Sequence, residues 1–279
     1  MFLAVASGKG GTGKTTVSLN LARVLGPEVV LADCDVEEPN CHLFLDGYPG
    51  KRSSVNIRIP EVDEDRCTSC GECGAFCQFN AIVSVKTKPL VFPELCHGCG
   101  GCTKVCPEGA VHETDREIGV VETIHTGDIT LIQGRLNVGV AIAPPVVRAV
   151  KARLKKDGLT VLDAPPGTGC TVSVTIAGAD YVVLVTEPTP FGLNDLKLSV
   201  EMVRELGIPA GVVINRSGIG DGRMVRYLES EGIPLLGEIP DDRRVAEAYS
   251  RGKLMTDEFP RYRRIFLELA GEIKKRTAL

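Results

Sequence analysis

Eight of the eleven cysteines lie between residues 67 and 106, in two sets with the same spacing, C-x2-C-x2-C-x3-C. The sets are Cys67, Cys70, Cys73, Cys77 and Cys96, Cys99, Cys102, Cys106. Three thiolates packed this closely, with a fourth shortly after, are typical of iron–sulfur ligands, whereas zinc sites use two C-x2-C pairs further apart. Intervening glycines such as Gly71 and Gly100 let backbone N–H groups turn toward inorganic sulfides. The spacing predicts two iron–sulfur clusters, with zinc knuckles or structural thiols as the alternatives.

The two sets belong to an internal repeat, in which CQFNAI at residues 77–82 is matched by CPEGAV at residues 106–111. This segment resembles a bacterial two-cluster ferredoxin. The resemblance implies two 4Fe–4S clusters, each taking three cysteines from one set and its fourth from the other. The implied ligand sets are Cys67, Cys70, Cys73 with Cys106, and Cys96, Cys99, Cys102 with Cys77. The repeat departs from the ferredoxin pattern at Gln78, where the second set has Pro107.

A phosphate-binding motif opens the chain, because GKGGTGKT at residues 8–15 matches G-x-x-x-x-G-K-[ST]. An apolar, strand-like run precedes it, and a segment with helical periodicity follows it. Backbone N–H groups of such a loop, with the helix N-terminus, bind phosphate oxygens. We expect Lys14 to reach the β- and γ-phosphates and Thr15 to bind Mg²⁺. The alternative is a chance glycine-rich turn.

Lys9 is an additional lysine inside this loop, and the string KGGTGKT resembles the deviant Walker A motif of MinD-, ParA- and Mrp-type P-loop ATPases. Segments 29–35 (VVLADCD) and 161–169 (VLDAPPGTG) resemble the two switches of that family, and 212–216 (VVINR) resembles its adenine-reading segment. The resemblance implies ATP or ADP and Mg²⁺ as cofactors. The implied nucleotide-binding residues are Gly8, Lys9, Gly10, Gly11, Thr12, Gly13, Lys14, Thr15, Thr16, Gly167, Asn215, Arg216, Pro240 and Asp241.

The same resemblance implies roles for individual side chains. The implied catalytic residues are Lys9, Lys14 and Asp35, and Asp35 would orient the attacking water. Mg²⁺ would be held by Thr15 and, through water, by Asp35 and Asp163. Gly167 would sense the γ-phosphate, and Asn215 would read the adenine.

Lys9 also bears on assembly. In the family, this lysine reaches the phosphates of the facing subunit when two ATPases close around two nucleotides. The resemblance therefore implies an ATP-dependent homodimer, or a heterodimer with a paralogous ATPase. We expect Lys9 to have no role within its own subunit, because Lys14 already serves the terminal phosphates. The alternative is an exposed loop lysine.

Six short apolar runs must position these loops as β-strands, at residues 2–6, 28–33, 159–163, 181–185, 210–214 and 234–239. Such continuous runs are typical of strands buried on both faces. Helical patterns alternate with them at residues 15–25, 144–156, 171–178, 191–206, 221–231, 243–250 and 259–275. The alternation predicts an α/β fold with a doubly wound, mostly parallel sheet and ligands at the strand carboxyl ends. Two extended runs, 119–124 and 129–132, are interpreted as a hairpin.

The cysteine-rich segment interrupts the ATPase-like sequence after its first switch. We therefore predict an inserted α+β ferredoxin-like domain at residues 61–113 and a discontinuous P-loop ATPase domain at residues 1–60 and 114–279. Because the insertion follows Asp35, a change at the first switch can reach the base of the inserted domain.

Composition limits the remaining classes. The formal net charge is −4, which gives no general attraction to nucleic acid. Apolar runs of 18 residues are absent from the sequence, so no membrane span is expected. The N-terminus does not resemble a signal peptide, which predicts a cytoplasmic, reducing compartment in which cysteines bind metals rather than pair.

Two function classes follow from these observations. The first is a MinD-type ATPase that couples nucleotide binding, hydrolysis and dimer closure to low-potential electron transfer to a redox partner. The second is an ATP-dependent iron–sulfur cluster carrier of the Mrp type, which serves a client metalloprotein. All eight ligands come from one chain, which favours permanent clusters. A positioning or partition ATPase would leave the cysteines without a role.

Three cysteines lie outside the two sets. Cys34 and Cys41 lie in and after the first switch, and Cys170 lies at the end of the second. We interpret them as small packed thiols. The alternative is that two subunits pool Cys41 or Cys170 to bridge a further metal.

Overall fold

The computed structural model describes residues 1–85, 88–127, 129–218 and 220–277. The chain divides into two compact units. The first unit contains Met1–Arg52, Val121–Arg135 and Val147–Leu279. The second, here called the cysteine unit, contains Ser53–Val120 and Leu136–Val146, a wider range than residues 61–113.

Most strands of the main sheet are short and largely apolar, whereas two strands at one edge are 15 and 16 residues long and carry many polar and charged side chains. The strands of this sheet are β1 (Phe2–Ala6), β2 (Val30–Asp33), β3 (Tyr48–Val62), β6 (Val111–Thr126), β7 (Ile129–Leu136), β8 (Thr160–Asp163), β9 (Tyr181–Thr186), β10 (Ala210–Ser217) and β11 (Leu235–Pro240), numbered with β4 (Ile82–Ser84) and β5 (Pro89–Val91) of a separate hairpin. Their order in the sheet is β11-β10-β9-β1-β8-β2-β7-β6-β3. The pairs from β11 through β7 run parallel. The predicted α/β fold with a large, mostly parallel sheet is confirmed.

Ten α-helices alternate with the strands in the part of the chain that the structure describes. They are α1 (Lys14–Leu25), α2 (Glu72–Phe76), α3 (Gly101–Val105), α4 (Pro144–Lys151), α5 (Cys170–Ile176), α6 (Pro190–Glu205), α7 (Arg223–Ser230), α8 (Arg243–Tyr249), α9 (Met255–Glu258) and α10 (Pro260–Arg276). The described residues include no helix long and apolar enough to cross a membrane.

The core of the first unit lies between the sheet and helices α1 and α10. Central strands contribute fully buried residues such as Leu3, Leu31 and Val183. From α10, Tyr262 and Phe266 pack against them, and both are almost completely buried. The last helix therefore uses its apolar stripe to cover the sheet.

The prediction for residues 144–156 is wrong at its C-terminal end, because α4 ends at Lys151. The next two backbone hydrogen bonds span three residues instead of the four of an α-helix. The N–H of Arg153 donates to the Val150 carbonyl, and the N–H of Leu154 donates to the Lys151 carbonyl. A charged, glycine-terminated run, KKDG at 155–158, follows. Such a run offers no apolar face to continue the helix.

The cysteine unit contains a short hairpin, two short helices and a buried apolar cluster. The hairpin β4–β5 is antiparallel, and the short helices α2 and α3 each begin after a glycine in the left-handed region, Gly71 and Gly100. One buried apolar cluster contains only Cys73, Ile82 and Val111, and further cysteines pack around it.

Candidate nucleotide site and cysteine cavities

The glycine-rich loop joins β1 to α1 at the carboxyl end of the sheet. It holds Gly8, Lys9, Gly10, Gly11, Thr12 and Gly13, and α1 begins with Lys14, Thr15 and Thr16. The side chains of Thr12, Lys14 and Thr15 are at least nine-tenths buried. The Thr12 hydroxyl is buried without a hydrogen-bond partner among the described residues. A buried donor of this kind beside a helix N-terminus suits a phosphate oxygen.

Gly13 and Asn215 hold the loop against β10. Gly13 has a φ of +92°, and a Cβ there would lie 2.3 Å from the Asn215 side-chain nitrogen. The same nitrogen donates a hydrogen bond to the Thr12 carbonyl at 2.8 Å. Asn215, the predicted adenine reader, therefore also anchors the phosphate-binding loop.

Asp163 ends β8 directly below the loop. Its two carboxylate oxygens accept hydrogen bonds from the hydroxyls of Thr15 and Ser18, both at 2.7 Å. Burial raises the pKa of this carboxyl, while Lys14 and the two hydroxyl donors act against that rise. The predicted Mg²⁺ residues Thr15 and Asp163 thus lie together, and Ser18 is a partner that the sequence patterns did not reveal.

Asp33 is a second buried carboxylate at this position, and sequence reasoning missed it. Strands β2 and β8 pair Asp33 directly with Asp163. Burial and the nearby Asp163 raise the pKa of Asp33 to about 7. The Cys41 thiol lies close to both carboxylates, 3.7 Å from an Asp163 oxygen. The signal that could have found Asp33 is the paired position of two aspartates at the ends of two apolar runs.

Asp35 lies at the start of the first switch and is half-buried. Its backbone N–H donates to an Asp33 oxygen at 3.1 Å, so Asp33 holds the turn that carries it. Burial raises the pKa of Asp35 to about 6, and the Lys14 ammonium acts to lower it. Asp35 is thus a half-buried carboxylate whose turn is held by Asp33 and whose charge is favoured by Lys14.

Lys9 has a partner in its own chain, so the expectation that it has no role there is wrong. Its ammonium lies 3.4 Å from the carboxylate of Glu187, which is about 7% exposed. The Arg216 guanidinium lies 2.8 Å from the other oxygen of that carboxylate. Glu187 directly follows β9, a position that brings it beside the loop, and no short motif marks it.

Three other predicted nucleotide residues lie near the carboxyl ends of strands. Gly167, in the second switch, donates its N–H to the Ser7 carbonyl at 3.0 Å. Pro240 ends β11 beside Ser217, and the Asp241 N–H donates to the Ser217 carbonyl at 3.2 Å. These bonds hold the second switch beside the end of β1 and hold Asp241 beside the end of β10.

Two cavities in the cysteine unit are each lined by four cysteines. One is lined by Cys67, Cys70, Cys73 and Cys106, and the other by Cys77, Cys96, Cys99 and Cys102. Each cavity therefore draws three thiols from one set and one from the other. The Phe79 and His97 rings, which stack 3.7 Å apart, line the second cavity.

Backbone N–H groups point at the thiol sulfurs of the fourth cysteines. The N–H of Ala81 donates to Cys77 at 3.3 Å, and that of Ala110 donates to Cys106 at 3.2 Å. Burial acts to raise the pKa of Cys77, but N–H donors from residues 79–82 outweigh it and lower that pKa. A thiol that ionises easily and accepts N–H bonds is suited to metal ligation.

The comparisons with known proteins address the first of these two sites. Residues 3–255 match the model of the CobQ/CobB/MinD/ParA nucleotide binding domain. The chain belongs to this family. This MinD/ParA-family chain is 32% identical over 259 residues to an uncharacterized protein of Methanocaldococcus jannaschii, covering 91% of this chain and 90% of that one. The predicted nucleotide-binding class is confirmed.

This chain is also similar, at lower identity, to a further relative and to a solved structure. It is 28% identical to an iron-sulfur cluster carrier protein of Aquifex aeolicus, over 92% of this chain and 62% of that protein. Its fold is similar to that of the septum site-determining protein MinD of Pyrococcus horikoshii, solved with Mg-ADP, with a TM-score of 0.58 and 21% identity. That alignment covers 98% of this chain and 96% of the MinD chain.

The cysteines of this MinD/ParA-family chain outside the cavities differ in exposure. Cys34 and Cys41 are completely buried, as expected for packed thiols, whereas Cys170 is exposed at the start of α5. Burial is the main cause that raises the pKa of both buried thiols, so they are poor nucleophiles.

Proposed function

We propose that this chain is an ATPase that carries two 4Fe–4S clusters in an inserted ferredoxin-like domain. It couples ATP binding, hydrolysis and dimer closure to low-potential electron transfer to a redox partner in the cytoplasm. It works as an ATP-dependent homodimer or as a heterodimer with a paralogous ATPase. The observation that carries the proposal is the four-thiol lining of both cavities by a single chain.

ATP would bind with its phosphates in the loop of residues 8–15. Lys14 would neutralise the terminal phosphates. Thr15, and Asp163 through water, would hold Mg²⁺, which would supply charge neutralisation at the phosphates when bound. Asp35 would hold the attacking water, because its position is set by Asp33 and its carboxylate is only half-buried. Asn215, Arg216, Pro240 and Asp241 would border the base. Lys9 would reach the phosphates of the facing subunit.

Replacement of Asp35 by asparagine tests the first switch. We expect ATP binding to persist and hydrolysis to fall about 100-fold or more, because the carboxylate that would orient the attacking water is lost. Single-turnover hydrolysis and equilibrium nucleotide binding measure the two effects. Asp46→Asn, at an exposed position, is the matched control. Normal hydrolysis by Asp35→Asn would disprove the assignment of the first switch.

The cluster assignment follows from the donor set. Cys67, Cys70, Cys73 and Cys106 would hold one cluster, and Cys96, Cys99, Cys102 and Cys77 the other. Each set offers four thiols around one cavity, and N–H groups on its fourth sulfur stabilise negative charge there. When bound, such clusters supply one-electron transfer at low potential.

A second candidate function is an ATP-dependent iron–sulfur cluster carrier. It is favoured by the similarity to proteins named iron-sulfur cluster carriers, at 28% and 25% identity. The two functions differ in the fate of the iron. A redox protein keeps its iron while it passes electrons, whereas a carrier loses iron to its client.

The experiment that separates them uses anaerobically purified chain. We expect about eight irons per chain, and an EPR signal of the reduced protein that changes when Mg-ATP binds. Incubation with a cluster-free acceptor should leave the iron on this chain. Four irons, or zinc in their place, would contradict the two-cluster assignment. ATP-dependent loss of iron to the acceptor would favour the carrier function.

A further inference from the structure

Glu187 is a buried carboxylate shared by two cations from different loops. It lies immediately after β9, and its side chain is about nine-tenths buried. Lys9 reaches it from the phosphate-binding loop at 3.4 Å, and Arg216 reaches it from the end of β10 at 2.8 Å. A buried carboxylate needs a paired charge, because an unpaired one is strongly destabilising.

The two cations differ in how firmly they are held. Arg216 belongs to β10 and has a φ of +54°. Residues other than glycine rarely adopt this backbone conformation unless the surrounding structure holds them in it. Lys9 lies in the loop before α1 and makes the longer contact, 3.4 Å against 2.8 Å, although its side chain is less exposed than that of Arg216, 34% against 53%. Lys9 is therefore the cation that can leave with less disturbance of the site.

We infer that Glu187 sets the nucleotide concentration at which two chains assemble, by holding Lys9 within its own chain. The inference rests on the proposed function, in which Lys9 contacts the phosphates of the facing subunit. Closure then exchanges the Glu187 carboxylate for a phosphate as the partner of Lys9. Arg216 stays on Glu187, so the exchange leaves no unpaired buried charge.

This arrangement also distinguishes nucleotides. A ligand shifts an equilibrium only as far as it favours one state over the other. Lys9 leaves a carboxylate that already neutralises it, so the new partner must attract it more strongly. A triphosphate carries more negative charge than a diphosphate and meets that condition better.

The test compares Glu187→Gln with the wild-type chain across a titration of Mg²⁺ with a non-hydrolysable ATP analogue. Light scattering follows the mass, and the midpoint of assembly is the readout. We expect the midpoint for Glu187→Gln to fall by about two- to fivefold, the effect of a partly exposed ion pair. In the nucleotide-free chain, amine labelling of Lys9, quantified by mass spectrometry, should increase in the same variant.

Two further variants serve as controls. Glu231→Gln removes a carboxylate from the Arg204–Glu231 pair at the far end of α6 and should keep the wild-type midpoint. Glu187→Asp keeps the charge on a shorter side chain, and its midpoint should lie between those of the wild type and Glu187→Gln. It also serves as the folded comparison if Glu187→Gln is unstable.

Equal assembly midpoints for the wild type and Glu187→Gln would overturn this inference, even if Lys9 labelling changes. They would leave the proposed function intact. A Glu187→Asp midpoint at or above the wild-type value would overturn the inference as well. Failure of the wild-type chain to assemble at any nucleotide concentration, alone or with a paralogous ATPase, would overturn the inference together with the proposed dimer. The two failures are therefore distinguishable.

Discussion

Lys14→Ala is expected to weaken ATP binding by about 10- to 100-fold, because a charge-assisted contact to phosphate is lost. Hydrolysis should fall below detection, since the remaining loop cannot neutralise charge that develops in the transition state. Lys14 is 6% exposed at the first position of α1, where its ammonium faces Asp35 and Asp163. Equilibrium binding of a fluorescent ATP analogue and phosphate release are the measurements.

The control for Lys14→Ala is Lys274→Ala, which removes an exposed lysine from the last turn of α10. It should bind and hydrolyse ATP like the wild type. Thermal unfolding of both variants separates lost binding from lost folding. If Lys14→Ala and Lys274→Ala both bind ATP with wild-type affinity, the loop is not the phosphate site.

Cys106→Ala is expected to remove one cluster, which is about half of the iron. The cysteines that become exposed should be those of the first set, although Cys106 belongs to the second set in sequence. The reason is that Cys106 lines the cavity of the first set. Alkylation followed by mass spectrometry should label Cys67, Cys70 and Cys73. The thiols Cys96, Cys99 and Cys102 should stay protected.

Cys77→Ala is the reciprocal variant and should show the opposite labelling, because Cys77 lines the second cavity. Cys170→Ala, at an exposed cysteine outside both cavities, should retain all of the iron. If Cys106→Ala instead exposes Cys96, Cys99 and Cys102, each set holds its own cluster and the exchange of fourth ligands is wrong.

The strands and loops of the nucleotide site could be predicted well because their signals are local. A continuous apolar run followed by glycines or aspartates is enough to mark a buried strand and the loop after it. Most predicted strand and helix ends agree with the structure within two residues. The exceptions include α4, which ends five residues early, β6, which begins eight residues before the predicted run at 119–124, and β3, which was not predicted. The C-terminal end of α4 is set by short-range turns and a charged run, which periodicity does not detect.

The contacts between loops could not be predicted in the same way. Ser18 and Asp163 are 145 residues apart in sequence, and Asn215 and Thr12 are 203 apart. Which strand ends meet depends on the order of strands in the sheet, and β8 lies between β1 and β2 although it follows them by more than 120 residues. The position of Asp33 opposite Asp163 requires both that β2 and β8 are neighbours and that their register pairs the last residue of each strand.

Features that a short stretch of chain specifies could be predicted without knowledge of the fold. These are the phosphate-binding loop, both cysteine sets and the apolar strands, because each depends only on neighbours along the chain. Which residue each loop side chain contacts depends on the tertiary structure. Lys9 could not be paired with Glu187 from sequence, because their contact at 3.4 Å exists only once β9 ends beside the loop that follows β1. The spacing of residues along the chain identifies the chemical type of each site, whereas the order of the strands determines which distant charged side chains come into contact.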